Sequence, residues 1–282
     1  MTVGQHEQTE PVTGTTPRPP GPPGRRARLR GDGARSALAT AALLVAFALI
    51  WELGSVAALW SPEVLPAPST VLAALRTLAG DPRFWADAAR TGAEVLGSIV
   101  FGSVAGLLAG IGFWKAPLVG RIFEPYLVSF YAVPLVLFYP VMIVLVGLGT
   151  PSVVILASVM AAIPMALNTW VGLAGIPPVY LKLSRSIGCT RWQELLRVAL
   201  PSAAPFVLAG LRLAVVYALI GCIAMEFTTA QAGLGYRIRY LYDAFETTPM
   251  YAYILVVLVV SILLTVLLAA CERVVMSGRS RS

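Results

Sequence analysis

Histidine is nearly absent from this chain of 282 residues, which has one, His6, close to its start. That removes His-based metal ligation, a His-Glu-x-x-His zinc site and any Ser-His nucleophile pair from the remainder. Charge is scarce as well: 12% of residues are Asp, Glu, Lys or Arg against 57% hydrophobic, a balance far from that of a soluble domain. Cysteine is limited to Cys189, Cys222 and Cys271, an odd and scattered set that implies no disulfide framework. No Gly-x-x-x-x-Gly-Lys-Ser/Thr run occurs, so the chain lacks the phosphate cradle needed to hydrolyse ATP by that route. No catalytic and no metal-binding residues are expected.

What the sequence has instead is long apolar runs. Six reach the roughly 20 residues that cross a hydrocarbon core: about 36–59, 92–114, 125–148, 151–174, 203–226 and 251–271. They predict an all-α integral membrane protein of six transmembrane helices, interrupted by charge at Glu52, Glu94 and Arg212. Alternate connections are unequal in Lys and Arg. One side holds fifteen: Arg18, Arg25, Arg26, Arg28, Arg30, Arg35, Lys115, Arg121, Lys182, Arg185, Arg191, Arg197, Arg273, Arg279 and Arg281. The other holds five: Arg76, Arg83, Arg90, Arg237 and Arg239. Basic residues are retained inside the cell, so both termini are expected in the cytoplasm. The net charge of +7 then reflects topology and attraction to anionic lipid rather than nucleic acid.

Residues 1–35 are rich in Pro, Gly, Thr and Arg and read as a disordered cytoplasmic tail, with 36–282 as the membrane domain. The first span exceeds a signal-peptide core and is expected to stay as an anchor. Between spans one and two, Pro68 and then Asp81-Pro82 open helices of an external amphipathic elbow, with Phe84 and Trp85 as candidate interface aromatics. Gly102, Gly106 and Gly110 share one helix face, the pattern that lets helices approach closely in lipid. Spans three and four form a hairpin about Gly147–Ser152, and Pro134, Pro140 and Pro164 are expected to bend them.

The segment Lys182 to Pro201 is different: basic, amphipathic and set between two spans. Ile176-Pro177-Pro178 gives a proline entry, Tyr180, Leu183 and Ile187 fall at helical spacing, and Gly188 is the residue type that ends a helix in a left-handed cap. Thr190 and Gln193 then form a capping-box pattern, with Trp192, Leu195, Leu196 and Ala199 as the apolar stripe of a second short helix before Pro201. Gly188, Val198, Leu200 and Pro201 resemble the Glu-Ala-Ala…Gly…Ile-x-Leu-Pro loop of ATP-binding-cassette importer permeases. Further runs recur in order: Leu65 to Ser69, Tyr131 to Pro134, Tyr139-Pro140, Gly147 to Gly149, Asn168-Thr169, Gly210 to Leu213 and Gly233 to Tyr236. Together they resemble the nitrate, sulfonate and taurine branch of these permeases, over roughly residues 60 to 275. One departure is clear: Lys182, Leu183 and Ser184 stand where the family loop has Glu-Ala-Ala.

The resemblance implies a type I importer (MetI-like) transmembrane domain, with a core of about residues 86–272 and a coupling loop at 176–201. It implies a bacterial plasma-membrane permease, usually a homodimer. Its partners would be separate ATPase subunits holding ATP and Mg, an external solute-binding protein and membrane lipid, with no nucleic acid. A small organic anion is the implied solute class. In such a loop the expected ATPase contacts are Lys182, Arg185, Gly188, Trp192, Glu194, Leu200 and Pro201. Within the central spans, Tyr131, Pro134, Tyr139, Asn168, Thr169 and Arg212 are polar or helix-bending groups and hence pathway candidates. For Arg212 a structural pairing with Glu94 or Glu226, or snorkelling, stays open. The alternative of an ATP-independent secondary transporter would be expected to show charge relays or matching broken halves, and the sequence has no convincing internal repeat.

Overall fold

A computed structural model describes the backbone of residues 25–277 and the side chains of 38–273, except those of Tyr131, Ala132, Thr229 and Cys271. The described residues divide into two units between Trp51 and Glu52. The helix α1 (Arg25–Val56) opens inside the stretch read as a disordered tail. Its first turns, Arg25 to Arg30, hold Arg, Ala and Leu, all good helix formers. The rest of that tail lies outside the described residues.

In the second unit, the Glu52 carboxylate accepts bonds from Ser69 N and Ser69 Oγ at 3.0 and 2.6 Å. It thereby serves the free amides at the start of α2 (Pro68–Ala79), which explains a charge at the end of an apolar run. Asp81 then caps α3 (Pro82–Lys115) by accepting from Arg83 N at 2.9 Å. This helix runs unbroken through the expected elbow and the second span. Phe84 is buried against Leu234, Leu241 and Tyr253 rather than at an interface, while Trp85 is exposed.

The third span is not one helix. It is α4 (Pro117–Ala132), a 3₁₀ turn at Leu135–Phe138 and α5 (Tyr139–Val146), with the two arms bent by 89°. Pro134 sits in the break. Pro140 does not kink a helix interior as expected but lies in the first turn of α5, where a missing N–H costs nothing. The chain continues through α6 (Thr150–Ala174), α7 (Pro178–Ser186), α8 (Arg191–Gln193), a π-helical turn at Glu194–Ala199, α9 (Leu200–Thr229), α10 (Leu234–Asp243) and α11 (Thr247–Ser277). Five of the described helices are long and apolar enough to cross a membrane, or six if the bent pair is one span. The described residues contain no strand.

The core is made by α3, α6 and α9. A Cβ on Gly102, Gly106 or Gly110 of α3 would fall 2.5–2.7 Å from carbonyl oxygens and side chains of α6. Gly172 and Gly210 play the same part between α6 and α9, against Phe206 and Asn168. Lipid supplies no hydrophobic force to bring helices together, so such close backbone approach is what binds them. Gly106→Ala is therefore expected to cost about 1–3 kcal/mol through overpacking, read as a lower thermal midpoint of the detergent-solubilised protein. Gly112→Ala, whose Cβ meets nothing within 4 Å, should leave that midpoint unchanged or higher.

Candidate functional site

The loop after α6 is held at a fixed angle by its own backbone. At the end of α7, Gly188 N donates to the Arg185 carbonyl and Cys189 N to the Ser184 carbonyl, each at 3.0 Å. With Gly188 at φ +78°, this is the paired bonding of a Schellman cap. Thr190 then begins α8: its N–H donates to Gln193 Oε1 at 2.9 Å, and Gln193 N donates to Thr190 Oγ1 at 3.3 Å. Both sequence signals thus fold as read. The second helix, however, is not separate. It passes through the π-turn directly into α9, with Leu200 N donating to the Leu195 carbonyl. A wider turn there suits Pro201, which has no N–H to give to the helix.

A brace between an exposed guanidinium and a buried carboxylate ties the two arms of the loop together. Arg185 Nε and Nη2 donate to the Glu194 carboxylate at 2.9 and 3.2 Å, and Ser184 Oγ adds a bond at 3.2 Å. These bonds, with the accompanying Coulombic attraction, hold the Arg185 guanidinium further above its already high value. Glu194, expected to meet an ATPase, is buried and engaged within the chain. The apolar stripe is also divided. Leu195 and Ala199 pack with Leu173, Ile176 and Ala203, whereas Trp192, Leu196, Tyr180, Leu183 and Ile187 are exposed. Lys115 at the end of α3 lies 4.9 Å from the Trp192 ring centroid. Leu200 and Pro201 are half-buried at the start of α9, and Lys182 is exposed.

The pathway candidates separate. Tyr139 is fully buried with Val95, Val153, Leu156 and Leu219. Thr169 is fully buried where α6 meets Gly110 of α3. Both side chains are packed between helices in this single chain. Their polarity pointed toward a site, but the helical register turns them toward α3 and its neighbours. Asn168 Nδ2 bonds the Pro164 carbonyl at 2.8 Å and borders a cavity of about 140 Å3 with Val128, Pro164, Leu167 and Leu213. Pro134 is exposed at the break of the bent span, and the Tyr131 side chain lies outside the described residues. Arg212 is exposed on α9 and pairs with neither Glu94 nor Glu226.

Those two carboxylates belong to a polar knot at the opposite end of α3, which the sequence reading missed. The Thr91 hydroxyl donates to Glu226 at 2.7 Å while accepting from Leu234 N at 2.8 Å, and Gly235 N donates to Glu226 at 2.8 Å. Asp87 accepts from Gly233 N at 3.1 Å and from Arg237 Nε at 2.8 Å. Glu94 accepts from Thr150 Oγ1 at 2.7 Å and from Arg90 Nε at 3.2 Å. A helix N-terminus is a natural seat for a carboxylate. Glycines at the start of α10, together with a lone Glu in an apolar run, were the available signal. Arg90 and Arg237 thus lie at one end of α3, and Lys115 with Trp192 at the other.

Comparison with known proteins agrees with this architecture. The family described as "Binding-protein-dependent transport system inner membrane component" matches residues 102–276. The taurine transport system permease protein TauC of Escherichia coli is 27% identical over 88% of this chain and 92% of its own length. The nitrate import permease protein NrtB of Synechococcus elongatus is 26% identical over 81% of this chain and 85% of its own. Among solved structures, a chain of the MetNI methionine ABC transporter in inward-facing conformations superposes with a TM-score of 0.57 at 25% identity, covering 70% of this chain and 98% of that one. These matches do not favour an independent secondary transporter. The chain belongs to the family of inner membrane components of binding-protein-dependent transport systems: it is a permease subunit of an ATP-binding-cassette importer, with the MetI-like fold and with ATP hydrolysis assigned to a separate subunit.

Proposed function

We propose that residues 176–201 are the input through which ATPase subunits, carrying ATP and Mg, drive this permease, and that a second copy of the chain completes the solute path. The membrane domain is 36–282. Both termini and the loop face the cytoplasm, a reading supported by the basic-residue asymmetry. A solute-binding protein delivers the cargo from the other side. One observation carries the reading: the braced loop runs without interruption into a helical rod, Arg191–Thr228, of 38 residues, or about 57 Å at 1.5 Å per residue. A push on the loop therefore reaches Glu226 and the outer knot through a rigid element. Helices α3 and α6 follow because their backbones are in contact with each other and with α9, and the bent span yields at Pro134.

The pathway candidates are Tyr131, Pro134, Asn168 and Arg212, with Tyr139 and Thr169 as the buried members of the same set. A small organic anion is the proposed solute class, supported by the taurine and nitrate relatives and by Arg212, an exposed cation midway along an apolar rod. The intracellular contacts are Lys182, Gly188 and Trp192, with Arg185 and Glu194 as the internal brace and Leu200 and Pro201 as the junction to α9.

Three outcomes test this. Gly188→Asp places a side chain at a positive φ and a negative charge on a basic face. It should abolish transport and ATPase co-purification in reconstituted membranes while membrane insertion is retained. Glu194→Gln removes the charge from the brace, and transport should drop roughly tenfold, the size of a typical coupling energy, with insertion unchanged. Arg212→Gln should lower uptake of an anionic solute by roughly tenfold or more, and uptake at the parental rate would remove it from the path.

A further inference from the structure

The outer face of the loop has a chemistry that specifies its partner. Between residues 176 and 201 there are four cations, Lys182, Arg185, Arg191 and Arg197, and one carboxylate, Glu194. That carboxylate is 7% exposed and committed to Arg185 and Ser184. All the charge left facing outward is therefore positive. Lys115 joins it from α3, held over the Trp192 ring. Trp114, Lys115, Leu181, Arg185, Cys189, Arg191 and Glu194 line one cavity of about 650 Å3, large enough for several side chains. Beside it, Val179, Tyr180, Leu183 and Ile187 are 51–71% exposed and follow the i, i+4 spacing of a helix laid into a groove.

We propose that the ATPase subunit presents acidic side chains to this surface, with at least one carboxylate entering the cavity between Lys115 and Arg191 and another meeting Lys182. The inference rests on the reading that this loop docks an ATPase. The apolar ridge of α7 supplies the contact area, and the cations fix which surface of the partner is accepted. A headgroup layer offers anions too, but it has no use for two helix arms locked by a Schellman cap, a capping box and an ion pair. A rigid partner that must transmit force does. Lys182 and Arg191 form no ion pair among the described residues, so the association is steered by charge and weakened by salt.

The test is zero-length carbodiimide coupling of the intact detergent-purified permease–ATPase complex, followed by peptide mass mapping. The reagent joins a lysine amine to a carboxylate in contact with it. The expected products are amide links from Lys182 and from Lys115 to Asp or Glu in a chain that carries a phosphate loop. Lys182→Arg should remove the first link and leave the complex assembled. The double variant Lys182→Glu/Arg191→Glu should lose at least tenfold of the retained ATPase, with insertion intact. A complex that assembles normally, yields no such links and survives the double reversal would overturn this inference while leaving the docking reading standing. If the wild-type chain retains no ATPase, the docking reading itself fails. Reduced binding of the double variant to phosphatidylglycerol vesicles, but not to phosphatidylcholine vesicles, with the ATPase retained in full, would assign the cations to lipid and likewise overturn the proposal.

Discussion

Everything in this permease depends on how closely three helix backbones approach one another. Water is absent from the hydrocarbon core, so burial of apolar side chains gives no preference for helix contact over lipid contact, and packing must supply it. The α3 face of Gly102, Gly106 and Gly110 meets carbonyl oxygens and short side chains of α6 at distances that leave no room for a Cβ. The opposite faces of α6 and α9 repeat the arrangement through Gly172, Gly210 and Gly221. Where α3 meets α6 backbone touches backbone, and where α6 meets α9 a glycine receives a side chain of the other helix, so the three helices interlock and move as a unit.

A rigid stack is useful only if both of its ends are gripped. At one end the grip is the loop: Arg185, Glu194 and Ser184 close the angle between α7 and the α8–α9 rod, and Lys115 reaches from α3 to Trp192. At the other end Glu226 receives Thr91 and the amide of Gly235, while Asp87 receives Arg237 and the amide of Gly233. Buried carboxylates are costly unless hydrogen-bonded, and here every one of these three is. The span made of α4 and α5 is already bent by 89° at Pro134, and a helix whose bonding is broken there can change angle while the stack keeps its shape.

Much of this was legible from local chemistry and much was not, and the division has a physical cause. Gly188, the Thr190-Gln193 box, Asp81-Pro82 and the three glycines of α3 act within a turn or two of helix, so their residue types announce them. The destination of a side chain depends on partners far along the chain. Tyr139 and Thr169 carry polar atoms and looked like pathway residues, yet the register of α5 and α6 sends them into the core. Glu194 looked like a docking charge, yet Arg185, nine residues earlier, takes it. The α10 knot joins residues some 135 to 150 positions apart, and no periodicity encodes such a pairing. The break at Pro134 was foreseen as a bend, but a right-angled interruption of the span was not, because proline specifies only that a helix bond is lost.

Arg212 is where these constraints meet. It sits on the rod, between the two gripped ends, and its neighbours Leu211 and Leu213 are half-buried while it is exposed. The obvious carboxylates, Glu94 and Glu226, are already occupied by Thr150, Arg90, Thr91 and Gly235. A guanidinium facing acyl chains at mid-helix costs at least about 2.5 kcal/mol, and no ion pair within the described residues offsets it. The face of α9 that carries Arg212 is therefore better placed toward water or toward another subunit than toward lipid. A single copy of the chain offers no second wall for such a face. The charge on α9 thus adds a physical reason to the proposal that a second copy of the chain completes the solute path.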